Sequence, residues 1–242
     1  MARLMLYTPR TIALVCEIFH PPMMPDPAPI QRVHNQHYES GDPPYASFAV
    51  TGAGAVLSNP VHHPGASSLA AFLPDRFQFR EELSGLTYDD FAARVRRVTE
   101  QVSAARGVPL FTSQQVTLRT LVNPRAYRDS REYLKHGMFG FDDETEVFGR
   151  EPQLFGIRMV FPEVPGEPGS HNLRIESFHN DPRSIFIENV STYGPILPGG
   201  GPGQSGLEQV ETNILSAYRF VTEQTMRFIG GFDTLGPEPE DQ

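Results

Sequence analysis

The chain has 242 residues, 39% hydrophobic and 20% charged, with a formal charge of −9; that balance fits a folded globular protein and excludes a disordered one. The acidic excess repels phosphate backbones and disfavours nucleic acid as a partner, unless a local basic patch overrides it. A single cysteine, Cys16, excludes an internal disulfide, and its apolar surroundings predict a buried free thiol.

In chain order, the N-terminal stretch carries apolar residues but is broken by Thr11 and Glu17 and lacks a small-residue cleavage site. It reads as a strand over 11–19 rather than a leader, so the expected compartment is the cytoplasm with no membrane contact. After the proline-rich segment 21–29, Pro29 opens a helix over 30–38, which Gly41 and Pro43–Pro44 stop. Four short strands follow, over 45–51, 55–58, 68–73 and 76–82, the last alternating at Phe77 and Phe79. Thr87 and Asp90 form a capping pair ahead of a helix whose Tyr88, Phe91, Val95, Val98 and Val102 recur at helical spacing, and Gly107 closes it.

The pattern then restarts. Val116, Leu118, Thr120 and Val122 share one face of a strand over 114–122, and Asn123 with Pro124 predicts a helix running to His136. An acidic loop leads to strands over 154–161, 172–178 and 184–190. A Gly/Pro-rich loop follows, and then a long helix over 207–229. Val-Thr-Glu-Gln occurs in the closing helix of each half, at Val98–Gln101 and Val221–Gln224.

The predicted fold class is therefore α+β: two β-α-β(3-4)-α halves, 1–109 and 110–232, followed by an acidic disordered tail over 233–242. Strands joined by short turns are antiparallel, so the halves are expected to join edge to edge into one curved antiparallel sheet with the long helices on one face. Such a sheet has the shape of the saddle of the TATA-box-binding protein, a comparison of shape alone.

His34 and His37 lie at i and i+3 on the first helix, and His62 and His63 in a proline-flanked loop, so the four are the candidate ligands for a divalent transition metal. The same helical stripe holds Ile30, Val33 and Tyr38, and packed, hydrogen-bonded imidazoles are the favoured reading. The acidic loop with Asp142, Asp143, Glu144 and Glu146 lacks the ligand order of a calcium loop. No Gly-x-Ser-x-Gly or P-loop pattern occurs, and no catalytic or cofactor-binding residue is assigned. Glu17 and Arg119, on the first strands of the two halves, are expected to form a structural charge pair across the centre.

Residues 72–95, FLPDRFQFREELSGLTYDDFAARV, followed by QQVTLRTLVNP at 114–124, resemble an uncharacterised, sporadically distributed bacterial family. Its members show a "dRf" segment, a Tyr-led helix and a strand of the form "lglRYiNrI". Leu118, Arg119 and Asn123 match, while Thr120 replaces the aromatic. The resemblance implies no reaction or cofactor; patchy distribution implies mobile-element or antiphage loci.

The sequence thus points first to a non-enzymatic component that binds a protein partner or itself. The alternatives are a metal-dependent enzyme built on the histidines and a nucleic-acid-binding saddle.

Overall fold

The computed structural model describes residues 7–199 and 206–234; residues 200–205 of the Gly/Pro-rich loop and 235–242 of the predicted tail lie outside them. One nine-stranded, wholly antiparallel sheet runs through the described residues in the order β2–β3–β4–β5–β1–β6–β9–β8–β7. The strands are β1 (Arg10–Phe19), β2 (Ser47–Thr51), β3 (Gly54–Ser58), β4 (Ser67–Phe72), β5 (Arg76–Glu82), β6 (Ser113–Val122), β7 (Gly156–Phe161), β8 (Ser170–Ser177) and β9 (Ile185–Tyr193). The helices are α1 (Ala28–Glu39), α2 (Tyr88–Arg106), α3 (Ser130–Glu132), α4 (Glu208–Arg219) and α5 (Met226–Gly230). No described helix is long and apolar enough to cross a membrane.

Alternation decides which side of the sheet each residue meets. In β1, Leu14, Cys16 and Ile18 are buried; in β5 so are Phe77 and Phe79, and in β6 Val116 and Leu118. These form one core with Phe91, Val95, Val98 and Val102 of α2 and with Val210, Ile214 and Ala217 of α4. The spacing of those helical residues is the 3.6-residue stripe that an amphipathic helix needs to cover a sheet. Thr87 caps α2 by accepting from the Asp90 N–H at 3.2 Å, and Gly107, at φ 65°, turns the chain out in the left-handed region. The two long helices pack together, with Tyr88 stacked on Tyr218 at 3.6 Å and Arg96 paired with Glu211 at 3.0 Å. Lower numbers in α2 meet higher ones in α4, so the pair is antiparallel.

The helix predicted from Asn123 does not form there. Asn123 Oδ1 instead accepts from the Ser184 hydroxyl at 2.9 Å, and the following N–H groups of Arg125 and Ala126 both donate to Asp233 at 2.8 Å. The Tyr7 hydroxyl donates to the same carboxylate. The carboxylate that accepts these three donors holds the chain in bends over 125–129, and helix begins only after Asp129, whose side chain caps α3. Asp233 is itself buried, so the ordered chain reaches into the segment predicted as a tail. After α3 the backbone widens into a π-turn over Tyr133–Met138, and a second π-turn, Phe220–Thr225, joins α4 to α5. The Val-Thr-Glu-Gln echo therefore occupies α-helix in one half and the π-turn in the other.

Phe79 is fully buried between β4 and β1. Phe79→Ala is expected to cost about 3–5 kcal/mol, and Thr87→Ala, which removes only the cap, about 1 kcal/mol. Urea denaturation of the two variants checks both the size and the order of these losses.

Candidate functional site

The four predicted metal-ligand histidines divide into two pairs with different surroundings. On α1, His37 is buried and its Nε2 meets Gln101 Oε1 of α2, while His34 lies beside the Tyr38 and Phe48 rings, with centroids 5.7 and 6.1 Å away. His62 and His63 are exposed in the β3–β4 loop. Among the described residues no group of three or more His, Cys, Asp or Glu is arranged to hold a metal ion. The acidic loop is exposed at Asp142, Asp143, Glu144 and Glu146, with the Asp142 N–H donating to Glu144 at 2.7 Å. Cys16 is buried, as expected; loss of water pushes its thiol pKa up to about 12, although Gln114 Nε2 lies 3.4 Å from the sulfur.

Glu17 and Arg119 do not pair with each other. The β1–β6 register sets Glu17 opposite Gln115 and Arg119 opposite Ala13, four residues along, which separates them by about 13 Å. Glu17 pairs with Arg76 at 3.0 Å. Arg119 donates to Glu188 at 2.6 Å and reaches across the short Ala13 side chain to within 3.7 Å of Glu82. Arg174 continues the row, 3.1 Å from Glu188 and 3.6 Å from Glu176. The sheet face opposite the helices thus carries alternating acids and bases along one rung, rather than a basic stripe.

A residue that pattern reading passed over holds the most unusual position. Glu81 continues the Phe77, Phe79 side of β5 and is only 3% exposed. Its Oε1 accepts from Arg94 Nη1 at 2.7 Å and from the Ser68 hydroxyl at 2.8 Å; its Oε2 is buried and has no donor among the described residues. Arg94 rises from α2 and lies 5.3 Å over the Tyr45 ring. Asn59 braces the cluster, donating to Ser68 at 3.2 Å and to the Pro44 carbonyl at 3.1 Å. The signal was present in RFQFREE: the strand period that buries two phenylalanines carries the next inward position onto a glutamate.

Two clefts open beside this carboxylate. One, of about 340 Å³, is bounded by the His62–His63 loop and Arg94; the other, of about 390 Å³, by β1 and the Tyr88–Tyr218 stack. Glu81 and the turn over 83–86 form the wall between them. Leu83 in that turn has φ 48°, a left-handed conformation that costs a non-glycine residue roughly 1 kcal/mol. Its N–H bond to the Ile12 carbonyl, at 3.0 Å, holds it there.

The sheet edge is a second surface. β7 pairs only with β8, and among the described residues no strand lies along its outer side. Val160 is 68% exposed, Phe161 and the following Val164 are also open, and Val147, Phe148 and Leu154 are exposed in the segment leading into the strand.

Comparison with protein-family models, with curated proteins and with solved structures gives no match to this chain.

Two outcomes follow from the buried groups. Burial is the largest cause holding the His20, His37 and His171 pKa values below the ordinary one. The unfolded chain, titrating near about 6.5, then takes up protons that the folded chain refuses. The contribution of these residues is complete above that value and is lost as the pH falls towards the folded pKa values. Urea midpoints at pH 7.5 and 5.5 are expected to fall with pH in the wild type and less steeply in His37→Gln. Separately, Arg94→Ala strands the Glu81 carboxylate and is expected to cost about 3 kcal/mol, whereas Arg94→Met with Glu81→Leu is close to neutral. Chemical denaturation of the single and double variants measures both.

Proposed function

We propose that the chain is a non-enzymatic protein-binding or assembly component that receives an extended segment of a partner along β7. The observation that carries this reading is the unpaired outer side of that strand, with Val160 and Phe161 exposed on it and the apolar residues Val147, Phe148 and Leu154 preceding it. An open edge offers a row of backbone N–H and C=O groups to any incoming strand. Natural sheets guard such edges with proline, lysine or short strands. GIRMVF has no proline or lysine and one charge, Arg158, which donates to Asn172 on β8 at 2.8 Å. In strand addition the main chain supplies affinity, and alternate side chains, here about the exposed Val160, select the partner.

The body that presents this edge is proposed to be a duplicated unit forming a curved sheet. In support, the last strand of each half pairs beside its first, giving β5–β1 and β6–β9 about the centre. The chain after each first strand also meets the turn before each last one: the His20 N–H donates to the Asp75 carbonyl at 2.9 Å, and Asn123 accepts from Ser184. The motif resemblance over 72–124 supports a bacterial setting in mobile-element or antiphage loci, with the cytoplasm as the proposed compartment.

Val160→Lys tests the reading, because it places a charge on the edge without touching the core. With a photo-crosslinking residue at position 158, the wild type is expected to give one defined protein adduct in cells, to a partner or to a second copy. The lysine variant is expected to lose it, reflecting at least about tenfold weaker binding, while melting unchanged. A wild type that yields no adduct, or an adduct indifferent to the lysine, overturns the proposal.

A further inference from the structure

The chain is acidic overall, but one cleft in it is not. Where β1 begins and β6 ends, a cleft of about 310 Å³ is lined by Thr8, Arg10, Asn123 and Arg125, all of them exposed. Its wall holds two guanidiniums and one carboxylate, that of Asp181. Arg10 is the first residue of β1, set opposite Leu121 of β6, and has no ion-pair partner among the described residues. Arg125 is placed by two contacts: its Cζ lies 5.6 Å over the Tyr7 ring, and its own N–H donates to Asp233.

The acceptors in this wall are already engaged. Asp181 accepts the Arg183 N–H at 3.2 Å on one oxygen and the Ser184 hydroxyl at 2.6 Å on the other. The same hydroxyl reaches Asn123 Oδ1 at 2.9 Å, which leaves the NH2 as the open end of that side chain. The Tyr7 hydroxyl is given to Asp233. Donors therefore outnumber acceptors in the wall, since each guanidinium alone carries five N–H groups in a planar fork.

We propose that this cleft binds the phosphate group of a small ligand, as free phosphate or as a monoester. A phosphate dianion brings two charges, one for each guanidinium, and acceptor oxygens that the arginine fork matches bidentately. A carboxylate brings one charge and fills one fork, and an ammonium meets two cations. The volume lies at the lower end of the range for small-molecule pockets, so a phosphate leaves room for the body of an ester. The net charge of −9 repels such a ligand at a distance, so affinity comes from these contacts rather than from steering.

Titration of the full-length protein with phenyl phosphate, inorganic phosphate and benzoate tests this. Phenyl phosphate is expected to move the backbone amide resonances of Thr8, Arg10 and Asn123 saturably, with a dissociation constant of about 1 mM or below. Benzoate, with the same ring and less charge, is expected to bind about tenfold more weakly. Inorganic phosphate is expected to displace phenyl phosphate; equal affinity identifies free phosphate as the ligand, and lower affinity an ester. Arg10→Gln is expected to weaken phenyl phosphate about tenfold, and Arg10→Lys to recover part of the loss, both melting as the wild type does. Arg32→Gln, at an exposed position on α1, is expected to change nothing. The proposal is overturned if phenyl phosphate gives no saturable shift at these residues, or if benzoate binds as well. It is overturned too if inorganic phosphate leaves phenyl phosphate in place, or if Arg32→Gln weakens binding as much as Arg10→Gln. The probe comparison is made on the unaltered protein and stands whatever the variants do.

Discussion

The antiparallel pairing of β1 with β6 holds this molecule together. Each uses its other side for a further neighbour, β5 beside β1 and β9 beside β6. The seam is therefore the middle of the sheet rather than a contact between two finished bodies. Core runs across it without interruption, with Leu14, Cys16 and Ile18 facing the helices beside Val116 and Leu118. Gln114 adds a polar tie on that same side. It donates to the Val210 carbonyl at 3.0 Å and accepts from Asn213 at 2.8 Å, anchoring α4 over the seam. A buried amide with both functions used fixes the helix position more tightly than apolar packing alone.

The two faces of the sheet obey different physics. Towards the helices, van der Waals packing dominates; Gln114 is matched there, as is Ser191, which lies 2.8 Å from His171 Nδ1, whereas Glu81 Oε2 has no donor among the described residues. Away from them, the row from Glu82 to Glu176 leaves its members partly in solvent, so its ion pairs contribute little individually. Its role is in arrangement. The small Ala13 side chain lets Arg119 and Glu82 approach across β1, and the row thereby links strands on both sides of the seam.

Much of this was legible in the amino-acid order. The stripe from Phe91 to Val102, its Thr87 cap and its Gly107 stop define α2 because all three signals are local. The strand alternation in RFQFREE and QQVTLRTLV likewise reports directly which side is covered. The failures share a cause, namely partners distant in sequence. Asn123 carries the local chemistry of a helix cap, but Asp233, over a hundred residues away, captures the N–H groups that follow it. Glu17 and Arg119 sit on matching strands, yet register, which their own sequences do not encode, sends each to other partners. Glu81 was readable in principle from its period, although its donor from α2 was not.

The same seam governs how the chain can be made. Cys16 pairs with Val116, a hundred residues later, and its other neighbour, Phe79, is sixty-three residues on. During vectorial synthesis at roughly 5–20 residues per second, β1 waits about 5–20 s before its second neighbour exists. In that interval TIALVCEIF, among the most apolar stretches of the chain, leaves the ribosome with at least one edge open. Contacts so distant along the chain place folding among the slow topologies, and the strand at the centre of the finished sheet is the one most in need of shelter by a chaperone beforehand.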